Sequence, residues 1–273
     1  MSAVAAEFTG IRHIRIDDFG SGSITVEQGT RPDVVEASVE AADEDYLRSV
    51  QLRHERDQLR IEFPPAPWRS SDASIALTVP AGLSYAIRAA AAHVQFRAEI
   101  GPAKISNGSG DIVVQTATDL ECSTGSGYVV VDRLQGRIGK ISSGTGDIQV
   151  YQASCPLTAR SGSGDISVNA LDHATLQANS GSGDISVAST TGSVDLCTAS
   201  GSVTIGVADQ LPAWLDLSTV SGEISIGLES TAEPGPRGTA HPGRARTASG
   251  DITIHRASFR PLPLPSCRRG ALP

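Results

Sequence analysis

The sequence predicts an all-β fold: a β-solenoid, a parallel β-helix-like stack of coils of about 18 residues, preceded by a more irregular β region. Three observations carry this. A Ser-Gly-Ser-Gly-Asp motif recurs down the second half of the chain. Its period is too short for a strand–helix–strand unit, which needs roughly 30 residues. Aromatic residues make up only 4% of the chain, with a single Met, so the core must be built from Val, Ile, Leu and Ala.

The motif reads Asn-Gly-Ser-Gly-Asp-Ile-Val-Val at 107–114 and Ser-Gly-Ser-Gly-Asp-Ile-Ser-Val at 161–168 and 180–187. Variants stand at 124–131 and 143–150, with looser copies at 200–205, 221–226 and 249–254. The closing glycine or its equivalent falls at Gly110, Gly127, Gly146, Gly164, Gly183, Gly201, Gly222 and Gly250. The first five steps are 17, 19, 18, 19 and 18 residues, and the last two stretch to 21 and 28. The stretch 227–246, with Pro234, Pro236 and Pro242 among its glycines, reads as a loop inserted into one coil and as a contact surface. A weaker copy around Gly192 gives each coil two similar sides.

Within each copy, period-two alternation puts Ile166 and Val168 on one face and Ser167 on the other. A second strand precedes each motif. Leu120 with Cys122, Leu157 with Ala159, Leu176 with Ala178, and Leu217 with Thr219 are expected at matching inward positions. Cys122 is then a small buried hydrophobe rather than a reactive thiol. Two inward side chains per strand cannot make a core alone. Stacking the next coil about 4.8 Å above buries them, and eight coils make a rod on the order of 35–40 Å long. Glycine is expected at the corners because it accepts positive φ.

Residues 1–100 are expected to form longer, less regular antiparallel strands that begin the sheets and cap one end. Strands are expected at 11–16, 22–26, 34–41 and 74–79, a hairpin over 49–63, and a strand over 85–96 despite its alanines. Pro64, Pro65 and Pro67 break the chain, and Pro80 and Gly82 end a strand. The repeats fill 101–255. The tail 256–273, with Pro261, Pro263, Pro265 and Pro273, is expected to be disordered or laid over the far end.

The repeated motif, with Val79-Pro-Ala-Gly82 after a strand, resembles the bacterial DUF4097 family over about residues 10–255. That family is also labelled as candidate adhesins or β-strand-repeat proteins. The resemblance implies a β-solenoid of unestablished biochemical role and no catalytic motif. The adhesin label implies surface exposure. Met1 to Gly10 lacks the basic and apolar regions of a signal peptide, so a cytoplasmic location is expected instead.

The net charge of −8 opposes a phosphate backbone, and nucleic acid is excluded as a partner. No apolar run approaches the ~18 residues of a transmembrane helix. Cys122, Cys155, Cys197 and Cys267 show no C-x-x-C spacing and are expected as free thiols without zinc. His13, His54, His93, His173, His241 and His255 lack metal-ligand spacing, and His54 is expected in a turn, His173 between strands and His241 in the inserted loop.

Asp111, Asp147, Asp165, Asp184 and Asp251 recur at one corner and would form an acidic column, the candidate metal site, for Ca²⁺. An aspartate at such a corner more ordinarily bonds nearby backbone N–H groups. The Gly-Ser-Gly turns lead into strands without a lysine, so they are not phosphate loops. Only Asp165 and Asp184 with Arg160 approach the acid-and-arginine clusters of β-helix polysaccharide lyases. No catalytic residue and no cofactor are assigned. The sequence therefore reads as a non-enzymatic structural or interaction protein that binds protein or another macromolecule along its side or end. The alternative is an exported carbohydrate- or calcium-binding surface module, and a carbohydrate-active enzyme is third.

Overall fold

The computed structural model describes residues 2–64, 72–208, 212–228 and 241–257. Pro65, Pro67, residues 229–240 of the expected inserted loop and residues 258–273 of the tail lie outside the described residues.

The chain begins with β1 (Ser2–Thr9), β2 (His13–Gln28), β3 (Val34–Ala41), a short α1 (Glu44–Ser49), β4 (Gln51–Glu55), β5 (Gln58–Glu62), β6 (Asp72–Val79) and β7 (Ser84–Ile100). Eight two-strand coils follow. They are β8 (Ala103–Ser109) with β9 (Ile112–Ala117), β10 (Leu120–Ser126) with β11 (Val129–Leu134), β12 (Gly139–Ser143) with β13 (Ile148–Ala153), and β14 (Leu157–Ser161) with β15 (Ile166–Leu171). The remaining four are β16 (Thr175–Ser180) with β17 (Ile185–Thr190), β18 (Ser193–Ser200) with β19 (Val203–Ala208), β20 (Ala213–Ser221) with β21 (Ile224–Ile226), and β22 (His241–Ser249) with β23 (Ile252–Ala257).

The coils stack in register as a β-solenoid with two parallel ladders. The first strand of each coil builds one sheet and the second strand builds the other. Ile148, Ile166 and Ile185 are consecutive partners in the second sheet, as are Val150, Val168 and Val187. All six are buried, whereas Ser167 and Ser186 on the opposite face are half-exposed. Burying an Ile or Val contributes about 1.5–3 kcal/mol before conformational entropy is counted. The repeated pair therefore forms a continuous aliphatic core.

The first hundred residues depart from the antiparallel expectation. Antiparallel pairing holds for β1 with β3, β3 with β6, and β4 with β5. The long strands β2 and β7 instead pair in parallel with each other, and each spans both sheets. Their first halves join β5 and β8, and their second halves join β6 and β9. They are thus coils whose corner has been straightened into one bent strand. With β5 and β6 beneath them they add three parallel rungs below the eight repeat coils, so the stack is taller than the repeat alone implies.

Two elements carried no visible signal. The strand β1 lies in a short alanine-rich stretch without strict alternation. Helix α1 has just six residues, too few for a periodic pattern. It starts because the Asp43 side chain accepts hydrogen bonds from the backbone N–H groups of Asp45 and Tyr46, and it buries Leu47.

The far end is also reordered. The strands β22 and β23 lie between β18–β19 and β20–β21, so the coil 213–226 is the outermost rung. Residues 241–249, partly expected as loop, are strand. The register of β20 differs from expectation by two residues. Leu215, not Leu217, occupies the column of Leu176 and Val194, because Thr219 aligns with Thr247, Thr198 and Ser180.

Candidate functional site

The motif corner is a pair of polar ladders. On the inside, the buried Ser161 hydroxyl donates to Gly146 O at 3.2 Å and accepts from Gly164 N–H at 2.8 Å. Ser143 and Ser180 repeat both bonds. Thr198 and Thr247 donate to the carbonyls of Gly183 and Gly201, each at 2.9 Å. Each hydroxyl thereby satisfies backbone groups that stacking removes from water.

The glycines are required by crowding more than by left-handed backbone. Gly110 and Gly127 have φ of 101° and 126°, but Gly146, Gly164 and Gly183 are not in that region. A Cβ on Gly164 would lie 2.2 Å from Gly146 O, and one on Gly183 would lie 2.1 Å from Gly164 O. No side chain fits between rungs that approach so closely.

On the outside stand all five candidate aspartates. Asp111 Oδ1 accepts from Tyr128 N–H at 3.2 Å, and Asp147 Oδ1 from Asp165 N–H at 2.9 Å. Asp165 and Asp184 accept from Asp184 N–H and Ser202 N–H, both at 2.8 Å, and Asp251 from Glu223 N–H at 2.9 Å. Each carboxylate thus clamps the next rung. Among the described residues there is no group of three or more His, Cys, Asp or Glu placed to hold a metal ion. Arg160 makes no ion pair with Asp165 or Asp184; it lies on the outward face of β14 instead.

The opposite corner has its own clamp. Asp119 accepts from the backbone N–H of Arg137 at 2.6 Å and of Ile138 at 3.2 Å, and pairs with the Arg137 guanidinium at 3.0 Å. The Arg137 backbone bond, with these others, holds its carboxyl below the ordinary carboxylate value. Cys122 occupies the inward slot and is buried, which pushes its thiol up to about 12. His93 lies 3.6 Å from Asp111, and His173 is exposed at a turn with φ of 47°.

The outward face of the first sheet gathers cations that sequence reading left unconnected. Lys104, Glu121 and Lys140 are consecutive partners in one column, and Arg88, Ser106, Ser123, Ser142 and Arg160 are consecutive in the next. Lys104 and Lys140 are the only lysines of the chain. They flank Glu121, which pairs with Lys104 at 2.9 Å and whose carboxyl that bond and the Lys140 charge hold below its usual range. Arg88 and Arg160 make no ion pair among the described residues. Lys104, Glu121, Lys140 and Arg160 line a shallow cleft of about 470 Å³ with the serine hydroxyls. The signal was present in the sequence: 104, 121, 140 and 158 repeat the glycine steps of 17, 19 and 18.

The second unusual surface is the outermost rung. Trp214 is 71% exposed, Val220 86%, Ile224 39% and Ile226 51%. Their partners Ile252 and Ile254 one rung inward are buried, so Ile224 and Ile226 continue the core columns, and no described residue covers them.

A family model described as Toastrack DUF4097 matches residues 11–255. No functionally curated protein matches the sequence. A candidate adhesin of Bacteroides fragilis is similar in structure at 14% identity and a TM-score of 0.45, over 93% of this chain and 97% of that one. A candidate lipid-binding protein of Parabacteroides distasonis is similar at 15% identity and 0.46, over 92% and 96%. A candidate adhesin of Parabacteroides merdae is similar at 12% and 0.45, over 92% and 95%. At these identities and scores the likenesses carry no functional weight. The solenoid, its Ser-Gly-x-Gly-Asp corners and the match across nearly the whole repeat region lead to one assignment: this chain belongs to the Toastrack DUF4097 family.

Proposed function

We propose that this protein is a non-enzymatic binding scaffold that engages an extended acidic polymer, one bearing carboxylates, along the outward face of its first sheet. The observation that carries the reading is the cluster of Arg88, Lys104, Lys140 and Arg160 around a single Glu121, on a chain whose net charge is −8. A cationic face on an acidic protein attracts anions locally while the remaining surface repels them. Between the cations stand Ser106, Ser123, Ser142 and Gln177, short polar groups that suit the hydroxyls of a polysaccharide. This cleft offers no aromatic side chain for stacking bases, which argues against a single-stranded nucleic acid. The motif serines and aspartates support the scaffold role, because their polar atoms are engaged in joining rung to rung.

The test is affinity electrophoresis through gels containing alginate, a linear polyuronate, at low and high salt. Retardation at low salt that fades at high salt is expected. A Lys140→Glu, Arg160→Glu double variant should migrate unretarded while melting like the parent. Equal migration with and without alginate, or retardation unchanged in the variant, would overturn the reading.

A further inference from the structure

We infer that two copies of this chain join end to end through the rung β20–β21, related by a two-fold axis. The inference does not depend on the cationic face.

The starting point is the asymmetry of the two ends. At the N-terminal end, β4 closes the first sheet with antiparallel pairing and exposes Arg53, His54 and Glu55. There β1, paired with β3, is the last strand of the second sheet, and α1 packs beside both with Leu47 buried. Charged edge strands and a covering helix are devices that prevent edge-to-edge pairing.

The other end has none of these among its described residues. Among the described residues the strands β20 and β21 pair only inward, with β22 and β23, and their outer edges carry backbone N–H and C=O groups without a strand partner. Residues 213–226 contain no Lys, Arg or Pro. Their two charges are Asp216, already neutralised by Arg244 at 3.0 Å and Arg246 at 3.6 Å, and Glu223. Among the described residues, four of the seven large exposed hydrophobic side chains sit on this rung.

A second copy fits for three reasons. The contact it would make is built like those between rungs, a free strand edge with inward aliphatic side chains, except that the strands would run antiparallel where the rungs pair in parallel. Asp216 is held by Arg244 and Arg246, so Glu223 is the one acid of the rung without an ion pair among the described residues, and a single charge per copy is the only like-charge term an isologous contact would meet. A two-fold axis across the rung would set β20 on β20 and β21 on β21 of the second copy, both antiparallel, and extend both sheets. Because the two-fold contact uses the same rung of both copies, it is consumed once made, and the assembly closes as a pair rather than growing as a filament.

The experiment uses the full chain. Light scattering coupled to size-exclusion chromatography is expected to give the mass of a dimer that dissociates on dilution. Hydrogen exchange should then show the amides of 213–226 protected when concentrated and exposed when dilute. Val220→Lys is expected to give a monomer that melts within a few degrees of the parent. If that variant fails to fold, the dilution series on the parent still decides. A monomer at every concentration overturns the inference. So does protection of 213–226 that ignores concentration, because the chain's own residues would then cover the rung. A dimer whose 213–226 amides exchange freely also overturns it, because the contact then lies elsewhere.

Discussion

Asp165 Oδ1 accepts a 2.8 Å hydrogen bond from the backbone N–H of Asp184, the equivalent residue one rung away. Asp147 does the same for Asp165. The repeated aspartate is thus a clamp between coils. Asp165→Ala should destabilise by about 0.5–1.5 kcal/mol, the usual net value of one such bond. Asp165→Asn keeps an acceptor oxygen in place and should cost less. Urea unfolding of the two variants checks the order; an alanine variant as stable as the parent would remove the clamp role.

Calcium is the second question at the same corner. An Oδ1 that faces a backbone N–H is poorly placed to turn toward a cation, and no carboxylate trio converges there among the described residues. Thermal melting should be the same in millimolar Ca²⁺ and in EDTA. A ligand at 100 times its Kd would stabilise the fold by about 2.7 kcal/mol, so a rise of several degrees would reassign the column as an ion site.

The inward and outward positions of one strand should respond very differently. Ile166 is buried and packs between Ile148 and Ile185, whereas Ser167 is half-exposed. Ile166→Ala is expected to cost about 2–5 kcal/mol. Ser167→Ala should change stability by no more than about 0.5 kcal/mol. Equal unfolding midpoints for the two would contradict the stacked core.

The glycines separate two physical causes. Gly164→Ala drives a Cβ to 2.2 Å from a backbone carbonyl of the neighbouring rung, where nothing flexible can yield. It should cost well over 3 kcal/mol or prevent folding, the upper end of overpacking effects. Gly10 has φ of 72° but nothing within 4 Å of an added Cβ. Gly10→Ala should cost only the left-handed backbone term, about 1–2 kcal/mol. A reversed order, read by circular dichroism melting, would mean that φ rather than rung spacing governs the motif.

What could be read from sequence was local. Alternation at Ile166-Ser-Val168 and the spacing of the glycines specify strand faces and coil length, because both follow from the period of a strand and the rise of a stack. Pairing order was not legible. Nothing near His13–Gln28 says that it lies between β5–β6 and β7, and nothing near 241–257 says that it enters beneath 213–226. Those choices are made between segments far apart in the chain. The two-residue error at Leu217 has a similar origin: Leu215 and Leu217 both alternate correctly, and the half-buried Thr219 hydroxyl, donating to Gly250 O at 3.1 Å, fixes which is which. The cationic face was legible only in combination, because Lys104, Lys140 and Arg160 become neighbours when the coils are aligned by the glycine steps.

Asp17 gives a prediction in pH. It is nearly buried in β2 and accepts from Arg15 Nε at 2.6 Å, with Arg60 at 3.2 Å. Burial alone would raise its carboxyl, but the hydrogen bonds and charges of Arg15 and Arg60 outweigh that and hold it below the ordinary aspartate value. Above the ordinary value, both folded and unfolded chains carry the ionised group, and its stabilisation is complete. As the pH falls, the unfolded chain takes up the proton first, so stability drains away and is lost below the folded-state value. Asp17→Asn should therefore be less stable at neutral pH by about 1.5–3 kcal/mol, the range for hydrogen bonds to charged groups. The gap between the two proteins should close as the pH falls through the acid range. Denaturant unfolding of both from neutral pH downward measures it; a gap that stays constant with pH would show that Asp17 stabilises by packing rather than by charge.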